Sequence, residues 1–219
     1  MFGLADDVSG AGLVTGNADD TARPRAWQRM LSGRRLDLLD PSPDDVAIED
    51  IAHGLARVAR WNGQTHGPHA FSVAQHAVLV ADIADALEPD LSHEGRLAAL
   101  LHDAAEYVIG DLISPFKAAI GLDYKAFEER LLGAIHARFR LPHPLTNGVQ
   151  VSIKRADRVA AYHEALQLAG FDDDEARRYF GPVEMLPEPL ALALRRLEPL
   201  AVGDAQVAFL TRFRSLSHR

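Results

Sequence analysis

From Pro24 onward the apolar positions recur every three to four residues, the period of an amphipathic helix, and strict two-residue alternation is nearly absent. The pattern predicts helices over Pro24–Leu31, Ile48–Arg60, Ser72–Leu87, Ser92–Glu106, Tyr124–Phe139 and Val149–Leu168, then over Pro189–Leu197 and Asp204–Leu216. Two starts are marked by their chemistry: Ser72 followed by Gln75 spells a capping box, and Ser114-Pro115 puts proline at the first position of a short helix. A minor hairpin is expected where Arg34–Leu39 and Val46–Ile48 flank Asp40-Pro41-Ser42-Pro43.

Proline and glycine gather in the connectors 63–68, 110–115, 141–148 and 180–189, none of them long, charged or low in complexity. They read as loops between packed helices, and no repeat of 20 to 50 residues is present. The expected architecture is one all-α domain over residues 23–219, a compact bundle with at most a minor hairpin. Residues 1–22 carry no periodicity and are expected to form a mobile tail; their Gly10, Gly12 and Gly16 do not spell a phosphate-binding loop.

Composition narrows the function classes. Apolar residues make 47% and charged residues 25% of 219, ordinary globular usage for a chain long enough to close a core without staples. Cysteine is absent, which excludes disulfides, thiolate zinc sites, iron–sulfur clusters and a cysteine nucleophile. With 23 Lys+Arg against 31 Asp+Glu the net charge is -8, so a nucleic-acid polymer or anionic membrane surface is not the expected partner. No stretch reaches 18 uncharged apolar residues, since Val73–Leu87 is cut by Asp82 and Asp85. The first 20 residues carry four aspartates and no basic cluster, so a cytoplasmic location is expected.

Candidate chemistry lies in the placement of histidines, of which there are 10. His76 interrupts an apolar helix, His102-Asp103 follows the run Leu97-Ala98-Ala99-Leu100-Leu101, and Asp157 stands in the opening turns of another helix. Taken singly, a histidine on an apolar face is a hydrogen-bonded core residue, and an aspartate beside Arg155 and Arg158 is a local ion pair. Taken together, they are two imidazoles and two carboxylates on separate helices that a bundle can aim at one centre.

The order H…HD…D, centred on Leu101-His102-Asp103-Ala104-Ala105-Glu106, resembles the HD-domain metal-dependent phosphohydrolase superfamily. Arg60-Trp61 before the first histidine, Gly110-Asp111-x-x-Ser114-Pro115-x-Lys117, and Ile153-Lys154-x-x-Asp157 with Tyr162 resemble its bacterial 5'-deoxynucleotidase branch. The matched span runs from Arg60 to Leu168, about half the chain. The resemblance implies one divalent ion, Mn, Co, Fe, Mg or Zn, held by His76, His102, Asp103 and Asp157. A thiolate-free nitrogen and oxygen set suits a six-coordinate ion that keeps positions open for water and a phosphate oxygen.

By the same resemblance Glu106 is the general acid or base, and its spacing of four from His102 would put both on one helix face. Asp111 would assist water or hold the sugar. Arg60, Lys117 and Lys154 are the candidates for the substrate phosphate, and Trp61 for the sugar or base. Each has an ordinary structural counterpart: a loop aspartate, an ion-paired lysine, a core tryptophan.

The segment Asn62–His69 is longer than its counterpart in the branch and adds His66 and His69, which are left outside the metal set. Tyr107 stands where the guanosine-tetraphosphate hydrolases of the superfamily have an acid, and the G-Y-P element of the cyclic-dinucleotide branch is absent. The expected activity is release of phosphate from a nucleoside 5'-monophosphate, a deoxynucleotide first. The alternatives are a deoxynucleoside triphosphate triphosphohydrolase and a metal-stabilised nucleotide-binding module without turnover. The apolar C-terminal helices, Pro189–Leu216, are a candidate homodimer surface, with packing over their own core as the competing role.

Overall fold

A computed structural model of the chain describes residues 26–112, 122–182 and 184–217. The expected tail of residues 1–22, the Ser114-Pro115 helix start and Lys117 lie outside them. Among the described residues the fold is an all-α bundle of nine helices with one two-stranded hairpin. In chain order these are β1 (Trp27–Arg29), β2 (Arg35–Asp37), α1 (Ile48–Leu55), α2 (Val73–Leu87), α3 (His93–Leu100), α4 (Glu106–Ile109) and α5 (Leu122–Arg138). They continue with α6 (Asn147–Gln167), α7 (Asp173–Phe180), α8 (Leu190–Leu194) and α9 (Val202–Ser217). No helix among the described residues is long and apolar enough to cross a membrane.

Helix α2 is the axis of the bundle. It packs on α6, α3, α9 and α1, and Val73, Ala74, Ala77, Val80, Ala81, Ile83 and Ala84 have no exposed surface. Its alanines let neighbouring helices approach closely, while the larger Phe71, Ile51, Leu55, Leu100 and Phe209 fill the gaps between them. The start expected at Ser72 is present, the hydroxyl accepting from the Gln75 amide at 3.2 Å. Two antiparallel backbone bonds, Arg60 N–H to Phe71 O at 2.8 Å and Val73 N–H to Val58 O at 3.0 Å, pin the preceding segment beside that start.

The hairpin differs from expectation. Residues 24–31 were expected to be helical, but Trp27–Arg29 is a strand paired antiparallel with Arg35–Asp37 in the register Gln28 opposite Leu36. Leu36 is fully buried, and Asp50 of α1 accepts from the Ser32 amide at 2.9 Å, tying the hairpin turn to the bundle. The segment Val46–Ile48, expected as the second strand, leads into α1 instead. The expected helix Ile48–Arg60 ends at Leu55. Helix α7 had not been expected; Asp172 and Glu175 form a reciprocal capping box at its start.

A further departure concerns the site. The helix expected over Ser92–Glu106 stops at Leu100, and residues 101–105 form a tight turn held by backbone bonds three residues apart, Ala104 N–H to Leu101 O and Glu106 N–H to Asp103 O, both 3.0 Å. His102 and Asp103 therefore sit in a turn, and Glu106 heads the next helix. The two do not share one continuous helix face as their spacing had suggested.

Candidate metal centre

His76 on α2, His102 and Asp103 in the turn after α3, and Asp157 on α6 converge. The Nε2 atom of His76 lies 3.3 Å from Asp157 Oδ1 and 3.6 Å from Asp103 Oδ2, and His102 Nε2 lies 3.2 Å from Asp103 Oδ2. One ligand atom from each of His76, His102 and Asp103 falls within 4.8 Å of the others. The two rings are 5.4 Å apart. Three elements supply the four side chains, so their meeting is a product of the tertiary fold.

The ring nitrogens facing away from the centre are each engaged. His102 Nδ1 donates to the Ala99 carbonyl at 2.9 Å, closing the last turn of α3, and His76 Nδ1 donates to Glu164 at 2.5 Å. Both Nε2 atoms are buried without a hydrogen-bond partner. Two orphaned imidazole nitrogens beside two carboxylates are the donor set a hard or borderline divalent ion takes, so the residues fit such an ion.

Electrostatics agree. Around the cluster stand the carboxylates of Asp103, Asp157, Glu164 and Asp111, with the guanidinium of Arg60 among them. Burial and Arg60 disfavour a charged His76, but Glu164 and Asp157 outweigh them and push its pKa up to about 10. His102 is likewise raised against burial, by Asp103. Asp103 and Asp157 titrate below their usual range despite burial, because the imidazoles face them, His102 chiefly for Asp103 and His76 for Asp157. With carboxylates outnumbering cations, the cluster attracts positive charge, whether as protons on its histidines or as a metal ion.

Asp103, His102 and Asp157 also line a cleft of about 570 Å³, whose walls include Leu132, Leu145, Ile153, Gln150 and Lys154. That volume lies within the range of small-molecule sites. Lys154 is exposed on α6, one turn before Asp157.

The remaining expected residues are placed as follows. Arg60 lies against the cluster on the His76 side, with Nη1 donating to Asp111 at 3.1 Å and Nε 3.6 Å from Glu164. Trp61 donates its indole N–H to Glu164 at 2.9 Å and packs its ring against Phe171 and Phe180, 5.7 and 5.8 Å between centroids. Neither Arg60 nor Trp61 lines the cleft. Glu106 is buried at the head of α4 and is also outside the lining residues. His66 and His69 are exposed.

Glu164 was not anticipated. It is fully buried, seven residues after Asp157 on the same helix, and joins His76, Trp61 and Arg60. Its signal in the sequence is a carboxylate two helical turns from a candidate ligand, at an otherwise apolar position between Ala160-Ala161 and Ala165.

No family model matches the chain. It is 58% identical over 172 residues to the uncharacterized protein RCAP_rcc00048 of Rhodobacter capsulatus, covering 78% of this chain and 88% of that protein. It is 34% identical over 190 residues to the uncharacterized protein YfdR of Escherichia coli K12, covering 86% of this chain and 94% of that protein.

Proposed function

The chain belongs to the family that includes RCAP_rcc00048 and YfdR, and from the geometry of its cluster we propose that it is a metal-dependent phosphohydrolase acting on nucleoside 5'-monophosphates. The observation that carries this reading is the meeting of two orphaned histidine Nε2 atoms at Asp103, with Asp157 beside His76, at the wall of an open cleft. The order of those residues in the chain resembles the HD-domain phosphohydrolases, which supplies the reaction class.

His76, His102, Asp103 and Asp157 would hold one divalent ion. Such an ion supplies Lewis-acid polarisation of the phosphoryl group and an acidified water. Lys154 holds the phosphoryl oxygens from the cleft wall, and Arg60 supplies a second fixed positive charge beside the cluster. Water attacks phosphorus, a new P–O bond forms, and the ester P–O bond breaks. Glu106 takes the proton of the attacking water and returns it to the leaving oxygen. The apolar wall of Leu132, Leu145 and Ile153 takes the organic part of the ester, with the Gln150 amide as its polar contact.

The test is an assay of protein stripped by a chelator and refilled separately with Mn, Co, Mg and Zn, given paired ribo- and deoxynucleoside mono- and triphosphates. Orthophosphate released from monophosphates only in the refilled protein is the expected result. Inorganic triphosphate as the product would assign the triphosphohydrolase reaction instead. Bound metal with no hydrolysis of any nucleotide would overturn the enzymatic reading.

A further inference from the structure

We propose that Glu164 is the positioning residue of this centre: it fixes the orientation and tautomer of His76 and joins that ligand mechanically to the Arg60–Trp61 turn. The inference rests on the metal-site part of the function proposed above. Glu164 would touch neither metal nor substrate, and acts through the residues it holds.

The geometry is specific. Oε1 of Glu164 accepts from His76 Nδ1 at 2.5 Å, while Oε2 accepts from the Trp61 indole at 2.9 Å and lies 3.6 Å from Arg60 Nε. When a metal displaces the proton of Nε2 the imidazole is neutral and carries one N–H, which the carboxylate on Nδ1 keeps there, leaving the Nε2 lone pair for the ion beside Asp157 and Asp103. The other histidine has a weaker anchor, the Ala99 carbonyl. The two ligands thus differ in basicity, with His76 the stronger donor.

The second oxygen explains the adjoining turn. Trp61 and Asn62 have φ values of 57° and 50°, in the left-handed region where a bulky residue is disfavoured. The bond to Glu164 and the contacts with Phe171 and Phe180 hold Trp61 there. The backbone that fixes Arg60 is thereby tied to the same carboxylate that orients His76. Charge gathered at His76 Nε2 polarises the ring, strengthens the Nδ1–H bond to Glu164 and is felt at the indole.

The experiment compares Glu164→Gln with the unaltered protein, both stripped of metal, by calorimetric titration with Co(II) and by the visible spectrum of the cobalt form. The expected result is 10- to 100-fold weaker binding in Glu164→Gln, with an altered cobalt spectrum and a metal-free melting temperature within a few degrees of the original. A merely structural role would lower the melting temperature and leave affinity and spectrum unchanged. Equal affinity, within twofold, overturns the inference while leaving the metal centre standing. Failure of the unaltered protein to bind cobalt overturns both.

A second measurement needs no change at Glu164. In the zinc-loaded protein, long-range nitrogen–proton correlation is expected to find the His76 proton on Nδ1, and a proton on Nε2 would overturn the proposal. In a Trp27→Phe background Trp61 is the sole tryptophan, and its fluorescence is expected to follow the zinc titration. An unresponsive indole would refute the link to the turn.

Discussion

At the scale of single residues the proposed roles separate cleanly by readout. Asp103→Ala removes the carboxylate that faces both imidazoles, so cobalt binding in calorimetry should be lost together with turnover. Glu106→Ala leaves all four proposed ligands in place, so metal content measured by emission spectroscopy should stay near one per chain while kcat falls by roughly 100-fold or more. A Glu106→Ala protein with full kcat would remove Glu106 from the mechanism. His136, on α5 at the cleft wall, gives a pH prediction independent of the metal. Burial first, and His143 second, push its pKa down to about 4, against a bond to the Pro142 carbonyl that favours the charged ring. The unfolded chain binds that proton from about pH 6.5, so below that the unfolded state holds more protons than the folded one. Stability from this group is full above pH 6.5 and is lost as pH falls toward 4, on the order of 1 kcal/mol between pH 7 and 5 after allowing for partial solvent screening. Urea unfolding of His136→Gln should show a flatter dependence in that window than the unaltered protein.

At the scale of elements, one contact joins the architecture to the proposed chemistry. A Cβ built on Gly54 of α1 would lie 2.8 Å from Tyr107 Cβ and 2.9 Å from the Tyr107 carbonyl oxygen, closer than side chains pack. Glycine there is a matter of close approach: α1 rests directly on the backbone of α4, which begins at Glu106. Gly54→Ala should therefore cost about 1–3 kcal/mol in chemical unfolding and shift α4, lowering kcat more than it weakens cobalt binding, because the four ligands lie on other elements. An alanine variant with unchanged unfolding free energy would mean that α4 yields freely. The same element shows how far the sequence could be read. Helices α2, α5, α6 and α9 are legible because each is long with recurring apolar positions, and α2 begins at the expected Ser72 cap; the Thr146 cap puts the start of α6 two residues before the expected Val149. The break after Leu100 is hidden in the sequence, because Leu97–Leu101 and Ala104-Ala105 continue an apolar run through the turn, where His102 Nδ1 donates to the Ala99 carbonyl. The strand at Trp27–Arg29 is not legible in the sequence because three residues have too few alternations to show a period of two. His76 and His102-Asp103 stand out as polar residues within or after an apolar run, whereas Asp157, among Lys154, Arg155 and Arg158, joins the proposed ligand set only through the motif it resembles. Glu164, a buried carboxylate between Ala160-Ala161 and Ala165, carries such a signal too but has no counterpart in the H…HD…D motif.

At the scale of the whole molecule, the candidate centre is assembled by helices that pack on one another, α2 on α6, α3 and α9. Helix α9 holds none of the four ligands, yet packs on α1, α2 and α3 and buries Ala205, Phe209, Phe213 and Leu216. Phe209 is fully buried, and Phe209→Ala should cost about 3–5 kcal/mol through lost transfer energy and the cavity left behind, which for a domain of this size lowers the melting temperature by roughly 6 to 20 °C. Metal acts on the same equilibrium from the other side. A ligand that binds only the folded state stabilises it by about 2.7 kcal/mol at a free concentration 100 times its dissociation constant. The proposed ligands lie on α2, α6 and the turn after α3, whereas Phe209 belongs to the core that supports them, so the two effects should add if the bundle unfolds as one unit. Thermal melts of the original and Phe209→Ala proteins, each with and without saturating cobalt, should then show two nearly equal metal-induced gains in stability on baselines separated by the core mutation. A cobalt gain that vanishes in Phe209→Ala would instead mean that α9 sets the geometry of the centre and that binding and core packing are coupled through α2.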